Sequence, residues 1–469
     1  MLKLHDTLSR QERYFPPETG REITVYACGP TVYHDAHIGN LRTFLTVDLL
    51  RRYLEHKGEK VKLVMNITDV GHMLNDADEG EDKMEVAARR EGRTPAGIAA
   101  HYEKAFFADL DALGFKRAEH PRATEHIPQM VALIEKLIEA GNAYVTPKGD
   151  VYYSVASFPG YGKLSGNTVE DLVAGARVEV KEDKRHPADF ALWIHNPDHV
   201  MQWTGPQGIL GYPGWHIECS AMAKKFLGDT IDLHCGGEDL KFPHHECEIA
   251  QSEGASGKIF SKHWLHVTYL VVDGEKMSKS KGNFFTLNDL LAKGHSAAAV
   301  RWLLLSAHYR TQLNFTLSGL DAAEKTVAYY RDLLARLGAS AGTGGSAASA
   351  ADDAAFEAAM DEDMNVSKAL AVVNEAAKSA NRALDDGSMT PVAAAAARAF
   401  IERALGETFG IDLCSSAAEA PDDVRALADG RQAARDAKDW AASDRLRGEI
   451  AAKGWIVEDT QQGPRLKKA

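Results

Sequence analysis

The sequence has few cysteines, no long apolar run and no excess of positive charge, and each absence argues against a class of protein. Its 469 residues include five cysteines, an odd number dispersed along the chain, so a disulfide framework is not expected. No stretch reaches the roughly 18 consecutive apolar residues of a membrane span. The first residues also lack the basic head, apolar run and cleavage site of a signal peptide. We therefore expect a cytoplasmic protein without membrane contact.

Charge is unevenly distributed along the chain. Lys and Arg number 54 against 67 Asp and Glu, a formal net charge of −13, which argues against non-specific binding of nucleic acid. From Arg425 to the end, however, ten Lys or Arg face seven Asp or Glu. This basic tail is a candidate surface for a phosphate-bearing partner.

The composition, 45% hydrophobic and 26% charged residues, is that of a globular protein, and the length suits roughly three domains of ~150 residues. The first part alternates strand and helix signals, which predicts βαβ units and a parallel sheet. The fold class is thus α/β, followed by helices. The segments expected are the first half of the α/β domain at 1–120, an insertion at 121–206, its second half at 207–296, a helical bundle at 297–410 with a Gly/Ala/Ser-rich linker at 338–351, and a small C-terminal domain at 424–469.

The first motif, HIGN at residues 37–40, follows a predicted strand and opens a helix. A helix N-terminus offers unpaired N–H groups and a positive dipole end to a phosphate. His37 can add a donor, and Gly39 lets a ligand approach the backbone closely. Taken alone, the motif is more typical of an ordinary turn between a strand and a helix.

The second motif is the run KMSKS, which comprises Lys276, Met277, Ser278, Lys279 and Ser280. Its lysines, interleaved with serines, predict a cationic loop that can hold a polyphosphate while charge shifts onto pyrophosphate. The alternative for an isolated cluster of this kind is a solvated loop.

Four residues have the chemistry of a metal site. His244 and Glu248 are four residues apart, so on a helix both face one way, and Cys28 and Cys219 could supply two thiolates. Two cysteines, one histidine and one glutamate suit zinc. The alternative is that the cysteines are small buried apolar residues and that the other two are polar surface residues.

Taken together, the motifs resemble the cysteinyl-tRNA synthetase family, a class I aminoacyl-tRNA synthetase family. The residues that carry the resemblance are CGPTVY at 28–33, HIGN at 37–40, GWHIECSAM at 214–222, GGEDLKFPHHECE at 236–248 and KMSKS at 276–280. The resemblance implies a nucleotide-binding parallel sheet split by a connective insertion, then a helical bundle and an anticodon-binding C-terminal domain.

The resemblance also assigns expected roles to individual residues. It implies one zinc ion per chain on Cys28, Cys219, His244 and Glu248, which binds the substrate thiolate. Soft zinc bonds a thiolate better than an un-ionised hydroxyl, so the metal could reject serine, which an apolar pocket separates by only ~1–3 kcal/mol. The remaining expected assignments are Thr68, Trp215 and Asp239 around the cysteine; His37, Gly39, Asn40, Lys276 and Lys279 around Mg-ATP; and Pro30, Thr31 and Ile38 within the extended HIGH-like motif.

Some residues depart from the family pattern. Asn40 stands at the fourth HIGH position, where it can form hydrogen bonds but cannot carry charge. Cys235 and Cys247 lie close to motif residues and could be mistaken for ligands, and Cys247 is three residues from His244. We expect Cys235 and Cys414 to be inert.

The C-terminal segment resembles the family's anticodon-binding end. Arginine fits phosphates and base edges, and tryptophan can stack on an unpaired base. An amphipathic helix with a salt-bridged outer face is the alternative. The candidate RNA contacts are Arg431, Arg435, Trp440, Arg445 and Trp455.

The expected activity is that of a monomeric cysteine–tRNA ligase. ATP and L-cysteine would form cysteinyl-adenylate and pyrophosphate, and the cysteine would then pass to the 3′ end of the cysteine tRNA. Two alternatives are the cysteine ligase of mycothiol biosynthesis, whose small acceptor needs no anticodon-binding domain, and an inactive relative that binds RNA or senses zinc.

Overall fold

The computed structural model describes residues 1–18, 20–72, 81–167, 183–278, 281–341, 350–414, 421–460 and 463–468. The chain divides into two compact units, Met1–Ile411 and Asp412–Ala469. Among the described residues, no helix has both the length and the apolar character needed to cross a bilayer.

The first unit contains twelve described α-helices. They are α1 (Ile38–His56), α2 (Lys83–Glu91), α3 (Pro95–Ala112), α4 (Ile127–Glu139), α5 (Trp215–Leu227), α6 (His244–Ser256), α7 (Leu287–Ala292), α8 (Ala297–Leu305), α9 (Leu317–Ser340), α10 (Ala350–Met360), α11 (Val366–Asp385) and α12 (Pro391–Ile401).

Its described strands form four sheets. They are β1 (Lys3–Asp6), β2 (Gln11–Tyr14), β3 (Ile23–Ala27), β4 (Val61–Met65), β5 (Ala143–Val145), β6 (Val151–Tyr153), β7 (Phe190–Ile194), β8 (Trp203–Thr204), β9 (Leu210–Pro213), β10 (Leu233–Gly237), β11 (Trp264–Val267), β12 (Leu270–Val272) and β13 (Leu313–Phe315).

A four-stranded parallel sheet lies at the centre, in the order β11-β10-β3-β4. Helix α1 connects β3 to β4, which is the βαβ unit expected from the sequence. The chain then leaves the sheet and returns to it at β10, next to β3. The predicted α/β fold with an interrupted parallel sheet, followed by helices, is confirmed.

The interruption carries a separate sheet in the order β5-β6-β7-β9-β8, with antiparallel pairing. Apolar side chains of α4 pack with this sheet and with α5 in one buried cluster, which includes Leu133, Leu137, Val151 and Trp193. The insertion is thereby fixed against the helix that carries Cys219.

The apolar run from His266 to Val272, a pattern typical of a single strand, is divided between β11 and β12. The carbonyl oxygens of the two intervening residues, Thr268 and Tyr269, accept hydrogen bonds from the Arg42 side chain. A side chain distant in sequence therefore supplies donors at this point, which no local pattern indicates.

The helices after residue 297 form the predicted bundle. Helix α9 runs through Ser340 and α10 begins at Ala350, so both extend into the predicted linker 338–351. The central part of that linker, 342–349, lies outside the described residues.

The second unit has two helices, α13 (Asp422–Asp436) and α14 (Trp440–Ala452), and an antiparallel hairpin of β14 (Trp455–Thr460) and β15 (Gly463–Lys468). Its small core contains Val424, Ala428, Ile450, Trp455 and Val457.

Candidate active site

The N-terminus of α1 carries the first motif in a reciprocal cap. The Asn40 backbone N–H donates to His37 Nδ1 at 3.2 Å, and Asn40 Oδ1 accepts from the His37 backbone N–H at 3.3 Å. Because Nδ1 accepts a hydrogen bond, the proton of the neutral His37 ring is on Nε2. His37 thus presents an N–H donor at the positive end of the helix dipole, beside the Gly39 backbone N–H.

The second motif lies against the first. A Cβ atom added to Gly39 would come within 3.0 Å of the His37 ring and of Met277 Cε, so only glycine fits there without displacing a neighbour. The chain beyond the motif returns to α1, where the Ile38 N–H donates to the Phe285 carbonyl at 3.0 Å. Lys276 is exposed and Ser278 is half-buried, whereas Lys279 and Ser280 lie outside the described residues.

Pro30 and Thr31 fix the turn between β3 and α1 to the chain after β4. The Thr68 N–H donates to the Pro30 carbonyl at 3.0 Å, and Thr31 forms an isolated parallel bridge with Thr68. This pairing extends the parallel sheet past Ala27 and places Cys28 at its carboxyl edge, where ligands bind in open α/β sheets.

Cys28, Cys219, His244 and Glu248 are all buried, and their ligand atoms lie within 4.8 Å of one another. The two sulfurs are 3.9 Å apart, and His244 Nε2 is 3.3 Å from Glu248 Oε1. A tetrahedral zinc ion with bonds of about 2.3 Å to sulfur and 2.0 Å to nitrogen or oxygen would have edges of about 3.8 and 3.3 Å. The four predicted ligands therefore fit zinc in donor type and in spacing.

A second group overlaps the first and contains Cys28, His234, His245 and Glu248. His234 Nε2 lies 3.0 Å from Glu248 Oε2, the oxygen that is not in contact with His244. His245 Nε2 lies 3.3 Å from Cys28 Sγ. The first group has two thiols, which suit zinc better, so the two added histidines are better placed to orient the ligands Glu248 and Cys28.

Two further histidines complete this arrangement. His216 Nδ1 lies 2.8 Å from His244 Nδ1, and His266 Nε2 lies 2.8 Å from His245 Nδ1. Burial lowers the pKa of His216 to about 3, so the ring is neutral and the pair of Nδ1 atoms shares one proton. If His244 Nε2 binds a metal ion, its Nδ1 carries that proton and donates a hydrogen bond to His216 Nδ1.

The buried Cys28 thiol needs a cation nearby in order to ionise. Burial raises the pKa of Cys28 well above its ordinary value, and the neighbouring Cys219 and Glu248 raise it further. Only a positive charge at the site would make the thiolate stable near neutral pH.

The predicted cysteine-binding residues are divided between the cluster and the surface. Thr68 Oγ1 donates to Glu218 Oε2 at 2.8 Å and accepts from Asn66 Nδ2 at 3.1 Å. The Trp215 ring lies 4.4 Å from the His244 ring. Asp239 is exposed on the turn Glu238–Lys241 that follows β10.

The remaining cysteines lie outside both groups of possible ligands. Cys247 is buried, with its sulfur 3.3 Å from the Tyr161 hydroxyl. Cys235 is buried in β10, where burial raises its pKa. Cys414 is exposed in the second unit.

In the second unit the candidate RNA contacts differ in exposure. Trp440 is 59% exposed, with the Arg435 guanidinium 5.9 Å from its ring centre. Arg445 is also exposed. Arg431 and Trp455 are 3% and 6% exposed, and Trp455 belongs to the core of the unit.

Sequence reasoning overlooked His216, His234, His245 and His266. Each lies within two residues of a motif residue or of a buried strand. The signal available in the sequence was therefore the concentration of histidines around the motifs, in a chain that has 19 histidines in all. Their pairing depends on contacts between β10, β11, α5 and α6, which no single segment encodes.

Two protein families match parts of this chain. Residues 14–325 match the family described as tRNA synthetases class I (C) catalytic domain, and residues 355–413 match the DALR domain. The chain is 41% identical to the cysteine–tRNA ligase of Chlorobaculum tepidum, covering 100% of this chain and 99% of the relative. It is 44% identical to the cysteine–tRNA ligase of Thermus thermophilus, covering 99% of each.

A solved structure of Mycobacterium tuberculosis methionyl-tRNA synthetase bound by methionyl-adenylate is similar with a TM-score of 0.55. The two sequences are 14% identical, and the matched region covers 83% of this chain and 90% of the methionyl-tRNA synthetase chain. At this identity the likeness concerns the fold alone.

Proposed function

The chain belongs to the cysteine–tRNA ligase family of class I synthetases, and from that membership we propose that it joins L-cysteine to the cysteine tRNA in two steps. ATP and cysteine condense to cysteinyl-adenylate and pyrophosphate, and a terminal ribose hydroxyl of the tRNA then attacks the adenylate carbonyl. The observation that carries this proposal is the buried cluster of Cys28, Cys219, His244 and Glu248, in a chain similar to cysteine–tRNA ligases over its full length.

Zinc is the proposed metal, one ion per chain. The donor set and the 3.9 Å and 3.3 Å edges support tetrahedral coordination by Cys28, Cys219, His244 and Glu248. When bound, zinc would supply a soft site for the substrate thiolate that the hydroxyl of serine fits poorly. His245 and His234 would hold the ligands Cys28 and Glu248 in place.

The chain's own residues would bind the nucleotide. His37 Nε2–H and the Gly39 backbone N–H would donate to ATP phosphate oxygens at the positive end of the α1 dipole, where Gly39 also allows close approach. Asn40 holds the His37 ring and can offer its amide N–H as well. Lys276 and Lys279 would stabilise the charge that develops on pyrophosphate, and magnesium would arrive with ATP.

Thr68, Trp215 and Asp239 are proposed to bind the cysteine itself. The position of Trp215 beside His244 and the hydrogen bond of Thr68 to Glu218 support the first two. The carboxylate of Asp239 is available to pair with the substrate ammonium.

The second unit would contact the tRNA through Arg435, Trp440 and Arg445. The exposure of Trp440 and the cationic group over its ring support base stacking. Arg431 and Trp455 are buried, so we propose that they stabilise the unit instead of contacting RNA.

Two alternatives were open from the sequence, and neither is retained. The relatives' similarity extends over 99–100% of the chain, including residues 412–469. This favours a tRNA as acceptor over the small acceptor of a mycothiol ligase. Retention of all four possible metal ligands in one cluster argues against a decayed site.

The segment boundaries 1–120, 121–206, 207–296, 297–410 and 424–469, a cytoplasmic location and a monomeric state are further proposals. Sedimentation of the purified chain tests the last of these, since a dimer would sediment at twice the mass of 51.1 kDa.

The deciding experiment is ATP-dependent charging of deacylated tRNA with radiolabelled cysteine, with serine in parallel. We expect charging by cysteine alone, its loss when a chelator removes the metal, and its return with zinc. Cysteine-dependent pyrophosphate exchange without any charging of tRNA would contradict the assigned acceptor. Equal charging by serine would contradict the role proposed for zinc.

A further inference from the structure

Arg42, on the second turn of α1, is a buried cation surrounded by backbone carbonyls. The side chain donates to the Thr268, His308 and Thr311 carbonyls at 2.7, 3.0 and 2.7 Å, and to the Tyr269 carbonyl at 3.4 Å. It is 1% exposed. Within the described part of the chain, no carboxylate accepts a hydrogen bond from it.

Burying a guanidinium whose acceptors are backbone carbonyls costs desolvation free energy. Burial lowers the pKa of Arg42 to about 10, and no acidic neighbour offsets that effect. The free energy of desolvating a guanidinium is then recovered only through the carbonyl dipoles. The residue therefore stabilises one particular arrangement of the segments that supply those carbonyls.

Those segments lead to the KMSKS loop. Thr268 and Tyr269 directly precede β12, after which the chain turns into Lys276. His308 and Thr311 precede β13, which pairs with β12 in parallel. Strand β13 also holds the turn before the loop, because the Asp273 N–H donates to the Phe315 carbonyl at 3.0 Å.

The other end of the loop is attached to the same helix. Ile38 N–H donates to the Phe285 carbonyl at 3.0 Å, and His37 and Thr286 form an isolated antiparallel bridge. Helix α1 thus holds the chain both before and after the KMSKS loop, through Arg42 on one side and Ile38 on the other.

We propose that Arg42 is a positioning residue that couples the two ATP-binding motifs, by fixing the strand leading into the KMSKS loop to the helix that carries His37. This inference rests on the proposed function. An adenylyl-transfer site must hold its cations to within about 0.5 Å of the working geometry, so loosening this attachment affects ATP more than cysteine.

An arginine suits this role because its planar fork has five N–H donors, whereas a lysine has three on one nitrogen. The Arg42→Met variant removes all the donors while keeping the apolar part of the side chain. The Arg42→Lys variant keeps the charge but cannot reach all the carbonyls.

The chain offers a matched control in Arg301, which is also 1% exposed. Its guanidinium donates to the Phe409 and Leu113 carbonyls at 2.6 and 2.9 Å and pairs with Asp48 of α1. Among the described residues, its guanidinium forms no hydrogen bond with either of the segments leading to the loop. Arg301→Met therefore reports the loss of a buried arginine without loss of the coupling.

The test measures cysteine-dependent pyrophosphate exchange, thermal unfolding, zinc content and cysteine binding for wild type and the variants. We expect Arg42→Met to lower kcat/KM for ATP about tenfold or more, with the Kd for cysteine and the zinc content unchanged within about twofold. Arg301→Met is expected to lower thermal stability but to keep kcat/KM for ATP within about threefold of wild type.

Equal losses in the two methionine variants, or an Arg42 defect that lies in cysteine affinity, would overturn the proposal. If Arg42→Met does not fold, Arg42→Lys and Arg301→Lys replace the two methionine variants. The proposal then requires that Arg42→Lys lowers kcat/KM for ATP more than Arg301→Lys does. If the wild-type chain shows no cysteine-dependent exchange, the proposed function fails. The role of Arg42 is then tested separately by calorimetric measurement of the affinity for Mg-ATP. A loss of affinity in Arg42→Met but not in Arg301→Met supports the coupling, and any other result contradicts it.

Discussion

At the scale of single residues, the proton on each histidine decides what the site can do. His37 accepts on Nδ1 and therefore donates from Nε2. Conversely, His244 must donate from Nδ1 to His216 if its Nε2 binds metal. The same residue type thus has opposite tautomers in the nucleotide site and in the metal cluster, because different neighbours occupy the Nδ1 atom.

Replacing Cys219 by serine tests the metal cluster. A serine hydroxyl is a poor zinc ligand, so we expect the zinc content of Cys219→Ser, measured by mass spectrometry, to fall from about one ion per chain to a small fraction. Cysteine-dependent exchange should fall with it. The control is Cys247→Ser, whose hydroxyl can keep a hydrogen bond to Tyr161; a similar zinc loss in this variant would contradict the assigned ligand set.

Asp109 of α3 gives a stability prediction with a definite pH dependence. Burial, reinforced by the charge of Asp35, raises its pKa to about 7, and its buried Oδ2 has no hydrogen-bond partner among the described residues. Between pH ~4 and ~7 the folded chain keeps a proton that the unfolded chain releases, so stability falls as pH rises through this window. We expect Asp109→Asn to raise the free energy of unfolding at pH 8 by roughly 3 kcal/mol.

Denaturant unfolding at pH 5 and pH 8 checks this prediction, because the gain should shrink at the lower pH. Asp111→Asn, on the same helix but exposed and paired with Arg117, should change stability little at either pH. An equal gain from both variants would mean that burial of Asp109 is not the cause.

At the scale of elements, α1 organises the first unit. Its N-terminus forms the nucleotide end of the site, and Arg42 attaches it to the segments before the KMSKS loop. One and a half turns further, Asp48 pairs with Arg52 and Arg301 and accepts from the Lys116 N–H. The helix is thus fixed to its surroundings by buried polar contacts as well as by its apolar face.

Asp48→Asn is expected to destabilise the fold strongly. Burial by itself would raise the pKa of Asp48, but the charges of Arg301 and Arg52 outweigh it and hold the pKa below its ordinary value. Removing the carboxylate leaves Arg301 buried without its ion-pair partner, at a cost of about 3–5 kcal/mol.

The contribution of Asp48 is present above pH ~4 and is lost as pH falls through its lowered pKa. Urea unfolding at pH 7 and pH 3 should therefore show a smaller difference from wild type at pH 3. Glu55→Gln on the same helix breaks the partly exposed pairs with Arg51 and Lys116, and should cost less than about 1 kcal/mol. A loss of this small size for Asp48→Asn would contradict the prediction.

At the scale of the whole molecule, the two compact units divide the proposed reaction. Every candidate residue for cysteine and ATP lies within Met1–Ile411, and every candidate RNA contact lies within Asp412–Ala469. Changes in the second unit should therefore affect charging of tRNA without affecting formation of the adenylate.

Trp440→Ala tests this division. Stacking on one base contributes about 1–3 kcal/mol, so kcat/KM for the tRNA should fall about five- to 140-fold in charging assays. Cysteine-dependent pyrophosphate exchange should remain at the wild-type level. Ile456→Ala, also exposed in the same unit, is the control, and a defect of similar size there would point to loss of the unit's fold.

Local patterns were enough to predict the fold class and the ends of several elements. The run from Glu22 to Ala27, rich in β-branched and aromatic residues, forms the strand Ile23–Ala27, and the amphipathic pattern from Leu41 to His56 lies in a helix that begins three residues earlier, at Ile38. Both are set by the spacing of apolar residues over short windows. The apolar run from His266 to Val272, by contrast, is divided between two strands, and the side chain that donates to the carbonyls at the break, Arg42, lies more than 220 residues away along the chain.

The sequence by itself determined the residue types available at the site: the spacing of His244 and Glu248 indicated one helix face, Cys28 and Cys219 were candidate thiolates, and the family resemblance implied that the four form one ligand set. Only the tertiary structure decided what surrounds them: which histidines orient the ligands, that Arg431 and Trp455 are buried, and that Arg42 links α1 to the approach to the KMSKS loop. The reason is physical. Spacing along the chain specifies chemistry within one helix or strand, whereas hydrogen-bond partners and desolvation depend on which segments meet after folding.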